Sequence, residues 1–256
     1  MADRQADDLL WQALLTGELP ALRRGRFVLK FLPSEPRCKM CNAPFRGIGA
    51  PLMRMVGRGP ARGNPRFCGF CERIAQRHPG GTEIELSLLF ADVRGSTDLA
   101  EPLRPAEFGR LLNRFYDQTT RVLIDSDALI DKLVGDAVIG LYFPGFAGAG
   151  HARQAIRAAQ RLREENGAGL PIGIAVHTGT VYAGIVGSSD TFVDFTVLGD
   201  AVNIAARLAS AAGPGEILIS AAAYRASKLD ISGLDRRTLA LRGHRQPVEV
   251  EVWSGA

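Results

Sequence analysis

The sequence predicts an α+β protein, and three observations carry that reading. After residue 81, short apolar runs of strand length alternate with stretches of helical periodicity. Their order is strand, helix, strand, strand, helix, strand, which is the split βαβ arrangement of ferredoxin-like folds. The first 80 residues differ in composition: they hold all four cysteines and a Pro-, Gly- and Arg-rich stretch.

Taken in order, the front part begins with an amphipathic candidate helix from Asp7 to Leu15, which Gly17 and Pro20 are expected to stop. Residues 33–82 show little periodicity, and Pro79-Gly80-Gly81 reads as a linker. This places a small module over 1–81 and a larger domain over 82–256. In the larger domain a strand over 84–93 contains the apolar run Leu86 to Ala91, expected to be buried. A helix over 105–124 sets Phe108, Leu111, Leu112, Phe115 and Val122 at helical spacing. Strands over 127–133 and 137–143 flank the tight turn Val134-Gly135-Asp136, and a helix follows over 149–165. Two separate strands, 171–177 and 180–187, are read on either side of Thr178-Gly179. A strand over 191–198 leads through Gly199 into a helix over 200–211. A strand over 216–219, a short helix and a hairpin of 237–241 with 247–253 complete the chain.

Composition narrows the function classes. Hydrophobic content of 46% and charged content of 23% are ordinary for a soluble globular protein. No apolar run approaches the ~20 residues of a membrane span, and the polar start Met1 to Asp8 does not resemble a secretory signal. A cytoplasmic location is therefore expected. Charge is uneven, with a net +8 over residues 1–80 and −4 over 81–256. A basic front part can serve an anionic partner such as nucleic acid, but no aromatic-and-basic recognition helix accompanies it.

The chemistry begins at the end of the most apolar strand, in FADVRGST (residues 90–97). Asp92 could simply cap the next helix. A second acid, Asp136, lies in DKLVGDAVIGLY (131–142), in a Gly-Asp turn that is itself common in hairpins. In a ferredoxin-like sheet the two strands are neighbours, so both carboxylates meet at one edge. Close carboxylates repel unless a cation lies between them, and hard oxygen ligands suit Mg²⁺ or Mn²⁺. Asn203 and Arg207 are four residues apart and share one helix face.

These stretches, with HTGTVYAGIVG, FTVLGDAVNIAARL and GEILIS in the same order, resemble a class III nucleotidyl cyclase catalytic domain over residues 84–254. No Walker sequence and no Gly-Gly-Asp-Glu-Phe signature is present. The resemblance implies an adenylate cyclase that converts ATP to 3′,5′-cyclic AMP and pyrophosphate. Asp92 and Asp136, assisted by the Val93 carbonyl, would hold two Mg²⁺ or Mn²⁺ ions. Asn203 would orient the ribose, and Arg207 would stabilise charge on the α-phosphate. Gly95, Ser96 and Thr97 would offer backbone N–H groups to the triphosphate, and Arg242 would reach the terminal phosphates. Lys132 would read the base: its ammonium only donates, which suits adenine N1 and not the protonated N1 of guanine. Its partner position is Thr196, where many members have Asp, and the Lys-plus-Thr pairing resembles the subgroup that includes bicarbonate-responsive cyclases. Because family sites lie between two catalytic domains and this chain has both residue sets, a head-to-tail homodimer with two equivalent sites is implied.

The front module has its own signal. Cys38 and Cys41, then Cys68 and Cys71, form two Cys-x₂-Cys pairs separated by 26 residues. Four thiolates suit tetrahedral Zn²⁺; an iron–sulfur cluster and a redox disulfide stay open. A regulatory or dimer-setting role is expected for the module. Two further functions compete with the cyclase reading: a catalytically silent nucleotide sensor, and a nucleic-acid-binding protein acting through the basic four-cysteine module.

Overall fold

The computed structural model describes residues 2–32, 36–62, 64–166, 169–188, 192–231 and 233–254. The described elements run in chain order as α1 (Ala2–Thr16), α2 (Pro20–Lys30), α3 (Ala50–Met55), α4 (Gly69–Arg77), β1 (Gly81–Val93), α5 (Ser96–Ala100), α6 (Pro105–Asp125), β2 (Leu129–Val134) and β3 (Ala137–Tyr142). They continue as α7 (Pro144–Ala147), α8 (His151–Glu164), β4 (Ile172–Ser188), β5 (Phe192–Leu198), α9 (Asp200–Ala211), β6 (Glu216–Ser220), α10 (Ala221–Ser227), β7 (Asp235–Leu239) and β8 (Val248–Ser254). The chain divides into two compact units. One comprises 1–84, 144–148 and 181–198; the other comprises 85–143, 149–180 and 199–256.

The second unit carries the expected α+β architecture. Strand order is β2-β3-β1-β4-β6-β8-β7, whose first four members are the ferredoxin-like set. β1 pairs antiparallel with β3, and β4 pairs parallel with β6. The run Leu86 to Ala91 is buried on both strand faces, which is why it is apolar without alternation. α6 packs on β2 and β3, and α8 packs on α6 and β3. The closeness has a residue-level cause: a Cβ on Gly140 would lie 2.8 Å from Leu123 Cδ2, so glycine lets α6 approach β3. The buried hydroxyls and imidazoles that cross this core pair with one another. Ser87 Oγ lies 2.9 Å from His151 Nδ1 and 2.6 Å from Thr178 Oγ1, and His177 Nδ1 lies 2.8 Å from Ser220 Oγ.

Among the described residues, the first unit contains α1 to α4, the short α7, and the hairpin of β5 on the outer half of β4. Trp11 of α1 is buried; its Nε1 donates to His78 O (3.0 Å) and its ring stacks on Phe195 with centroids 5.3 Å apart. Arg26 is buried under the Phe146 ring at 4.3 Å, and its guanidinium donates to Met40 O.

Several expectations are corrected. Thr178-Gly179 does not separate two strands: β4 is one strand through both residues. Gly179 is needed there for space, since a Cβ would lie 2.9 Å from Ala201 Cβ and 3.2 Å from His177 Nε2. Pro20 does not merely stop α1; it opens α2 at the position where a missing N–H costs nothing. α3 and α4 appear where little periodicity was legible. Pro79-Gly80-Gly81 is no loose linker: Gly80 O accepts from Ile185 N (2.8 Å), and Gly81 begins β1.

Burial lowers the pKa of His177 to about 4, with Asp200 opposing that shift. The unfolded state therefore takes up a proton near pH 6.5, before the folded state does. Stability contributed by neutral His177 is present above that pH and is lost as pH falls toward 4. Denaturation midpoints should drop across this window, at up to about 1.4 kcal/mol per pH unit for this one group. His177→Gln should flatten that slope.

Candidate active site and cysteine centre

The β1–β3 pairing builds the acid pair. Asp92 stands opposite Ala137, one residue beyond Asp136, and Val93 N donates to Asp136 O at 3.1 Å. Asp136 closes a two-residue hairpin turn in which Gly135 has φ 59°, a conformation glycine adopts without strain. Tyr116 of α6 donates its hydroxyl to Gly135 O and so fixes that turn. Burial raises the Asp92 carboxyl above its usual range; Arg94 opposes this and the Asp136 charge adds to it. The two acids thus feel one another. Their carboxylates are hard oxygen donors of the kind that suits Mg²⁺ or Mn²⁺.

Sequence reasoning missed Arg94. Its Nη2 pairs with Asp92 Oδ2, its Nη1 donates to Ser210 O (2.9 Å), and its backbone N donates to Pro171 O (2.6 Å). Asp92 therefore does not cap a helix. The residue at the N-cap of α5 is Gly95, with φ 63° and no side-chain cap. Ser96 and Thr97 form the first turn of that helix. The sequence signal for Arg94 is only its position two residues after Asp92, at the strand end.

α9 presents Asn203 exposed and Arg207 half-buried. The loop after β7 runs beside Arg207: a Cβ on Gly243 would lie 3.3 Å from Arg207 Nη2. The exposed Arg242 is on that loop, which is held by His244, whose Nε2 lies 3.2 Å from Asp200 Oδ2 at the start of α9. The structure thus brings the Arg242 loop to the Arg207 guanidinium. Lys132 is half-buried on β2, in the second unit, next to an irregular step in the β2–β3 register. Thr196 is buried on β5, in the first unit, opposite Gly184 of β4.

The four cysteines come together. All are buried and free, and their Sγ atoms lie within 4.8 Å of one another. Cys41 Sγ and Cys68 Sγ are 3.7 Å apart. A tetrahedron with Zn–S bonds of about 2.3 Å has edges of about 3.8 Å, so the group fits a tetrahedral ion. Cys68 N donates to Cys38 Sγ (3.2 Å) and Cys71 N to Cys68 Sγ (3.5 Å), which orients the sulfurs inward. Burial opposes charge on Arg58, but the Cys41, Cys68 and Cys71 sulfurs hold its guanidinium above its usual range. Burial pushes the Cys38 thiol up, so it would ionise only with a cation beside it.

A split βαβ sheet with two carboxylates at a strand end and an Asn/Arg helix defines the class of domain, and comparison defines the family. The model described as "Adenylate and Guanylate cyclase catalytic domain" matches residues 82–253, and the chain belongs to that family of class III nucleotide cyclases. An adenylate cyclase of Anabaena cylindrica is 35% identical over 133 residues, covering 48% of this chain and 26% of that protein. An uncharacterized protein of Mycobacterium tuberculosis is 33% identical over 178 residues, covering 67% of this chain and 33% of that protein. The chain thus spans about a third or less of the length of these curated relatives. Among solved structures, the adenylyl cyclase CyaB from P. aeruginosa aligns with TM-score 0.58 and 30% identity, covering 68% of this chain and 96% of that chain. The guanylyl cyclase Cya2 aligns with TM-score 0.61 and 26% identity, covering 69% and 95%. Among the described residues, no helix is long and apolar enough to cross a membrane.

Replacing Asp92 or Asp136 by Ala should lower turnover by more than the ~100-fold that loss of an outer partner to a metal ligand costs. Circular dichroism and thermal melting should show a folded protein in both variants. Steady-state cyclic nucleotide production checks the expectation.

Proposed function

We propose that this chain is an adenylate cyclase, converting ATP to 3′,5′-cyclic AMP and pyrophosphate at sites shared between two copies. The observation that carries the reading is the adjacency of Asp92 and Asp136 at the paired ends of β1 and β3. Two divalent cations held by Asp92, Asp136 and the Val93 carbonyl would supply positive charge to the reacting phosphate and the attacking hydroxyl when bound. The 3′-oxygen forms a bond to the α-phosphorus as the bond from that phosphorus to the α–β bridging oxygen breaks. The 3′-hydroxyl proton is lost, and pyrophosphate leaves. Asn203 orients the ribose and Arg207 meets the charge that grows on the α-phosphate. Arg242, carried beside Arg207, contacts the leaving phosphates, and the backbone of Gly95, Ser96 and Thr97 contacts the triphosphate.

Base choice rests on Lys132 and Thr196. An ammonium donates to adenine N1, and a hydroxyl accepts from the adenine amino group. Against guanine, Lys132 would face a second donor and leave both unpaired. An adenylate cyclase and an adenylyl cyclase stand among the similar proteins, and so does a guanylyl cyclase; the support for ATP is therefore the chemistry of Lys132. Residues 1–81 are read as a regulatory module and 82–256 as the catalytic domain. The module's Cys38, Cys41, Cys68 and Cys71 hold one structural Zn²⁺, with no open coordination position. An iron–sulfur cluster would instead give a brown protein containing iron and acid-labile sulfide.

Purified protein supplied with ATP or GTP and Mn²⁺ or Mg²⁺ tests the reading. ATP should be preferred by about 100-fold or more in kcat/KM; comparable values would refute the adenine assignment. Mixing Asp92→Ala with Arg207→Ala protein should recover about a quarter of wild-type activity, because half the pairs are mixed and each has one intact site. No recovery, with subunit exchange verified, would contradict a shared site.

A further inference from the structure

β5 is an edge strand whose described pairing is with β4 alone, and the cysteine segment grips its other side. Lys39 lies inside the first knuckle, between Cys38 and Cys41. Its side chain is 3% exposed, its Nζ lies 3.3 Å from Asp194 Oδ1, and it also donates to Phe195 O. Just before the second knuckle, Asn64 Nδ2 donates to Val193 O (3.0 Å) and Arg66 Nη1 lies 3.0 Å from Asp194 Oδ2. Val193 and Phe195 are two apart, so their carbonyls point to the same edge; both accept from the cysteine segment. The two knuckles are tied to each other by Lys39 N donating to Arg66 O at 2.8 Å. Thr196 follows directly, and strand alternation puts its side chain on the same face as Asp194.

We propose that Lys39 is a positioning residue: metal binding by the four cysteines fixes Lys39, and Lys39 fixes β5 and with it the base-reading Thr196. The inference rests on the proposed role of Thr196 and on a metal at the cysteines. Its physical basis is that a lysine stem has several free rotors. A backbone held between two metal-bound sulfurs would deliver its ammonium to a buried carboxylate and carbonyl in one geometry. Without the ion, the knuckle that presents Lys39 relaxes. Asp194 keeps Arg66, but the Phe195 carbonyl loses its Lys39 donor, and the strand edge loosens at the residue before Thr196. Metal content thereby becomes a control on nucleotide recognition, acting through binding and not through the acids that serve the chemistry.

Lys39→Met retains the stem and removes both bonds. The full-length variant should bind as much metal per chain as wild type by elemental analysis. Its KM for ATP should rise and its ATP-over-GTP ratio should fall, each by about 10-fold, while kcat changes far less. Trp11 emission should shift, because its ring stacks on Phe195. Stripping the cysteine-bound metal from the wild type with a thiolate-metal-selective chelator, then assaying after its removal with excess Mg²⁺, should reproduce these changes, and the same treatment of Lys39→Met should add nothing to them. Lys39→Arg should rescue the emission and KM in part. Asp194→Asn supplies the same comparison if Lys39→Met does not fold. Unchanged KM, ratio and Trp11 emission in a metal-loaded variant would overturn the proposal, as would a chelation effect equally large with and without Lys39. A wild type that uses ATP and GTP equally would refute the base reading instead, while the emission and KM would still report the clasp.

Discussion

Two carboxylates placed side by side by an antiparallel strand pair are the constraint around which the catalytic unit is arranged. β1 and β3 end together, and Asp92 stands opposite the residue after Asp136. Two negative charges there are costly unless a cation answers them. In this structure Arg94 answers for Asp92, anchored by Ser210 O and Pro171 O. The surrounding framework then reads as support. The apolar run of β1 is buried on both faces, so its end is held firmly. Gly135 permits the tight turn, and Tyr116 fastens it to α6. A divalent ion bound here, as proposed, would have to compete with a guanidinium already held there.

The other functional groups are delivered by the same economy of means. α9 starts at Asp200 and sets Asn203 and Arg207 one turn apart. Asp200 also holds His244, and so keeps the loop with Arg242 beside Arg207. The first unit has a different logic. It is small and basic, and its buried centre includes four cysteine sulfurs. A metal bound there would supply much of the folding free energy of such a unit, and under the proposal made above it would also stiffen the strand bearing Thr196.

Much of the catalytic framework was legible in the sequence because its signals are local. An apolar run without alternation marks β1, a Gly-Asp step marks the β2–β3 turn, and α9 was placed at its observed limits. The cysteine spacing predicted a cluster, which the structure shows. The failures have two causes: tertiary packing outweighed a local signal, or one residue carried two local signals. Thr178-Gly179 looks like a break between strands, but Gly179 is there to admit Ala201 and His177. Pro20 looks like a stop, but it is also a good first residue for a helix. Arg94 and Lys39 act through partners that only the fold brings near; Lys39 and Asp194 are 155 residues apart. No spacing rule reaches that far.

The central claim is that Asp92 and Asp136 together form a divalent-cation site for the nucleotide. Mn²⁺ titration followed by electron paramagnetic resonance, with a non-hydrolysable ATP analogue present, measures it without relying on turnover. Two Mn²⁺ ions per nucleotide site are predicted for the wild type, with binding at those positions lost in Asp92→Asn and in Asp136→Asn. Equal Mn²⁺ binding by the wild type and both variants, with the analogue still bound, would contradict the account.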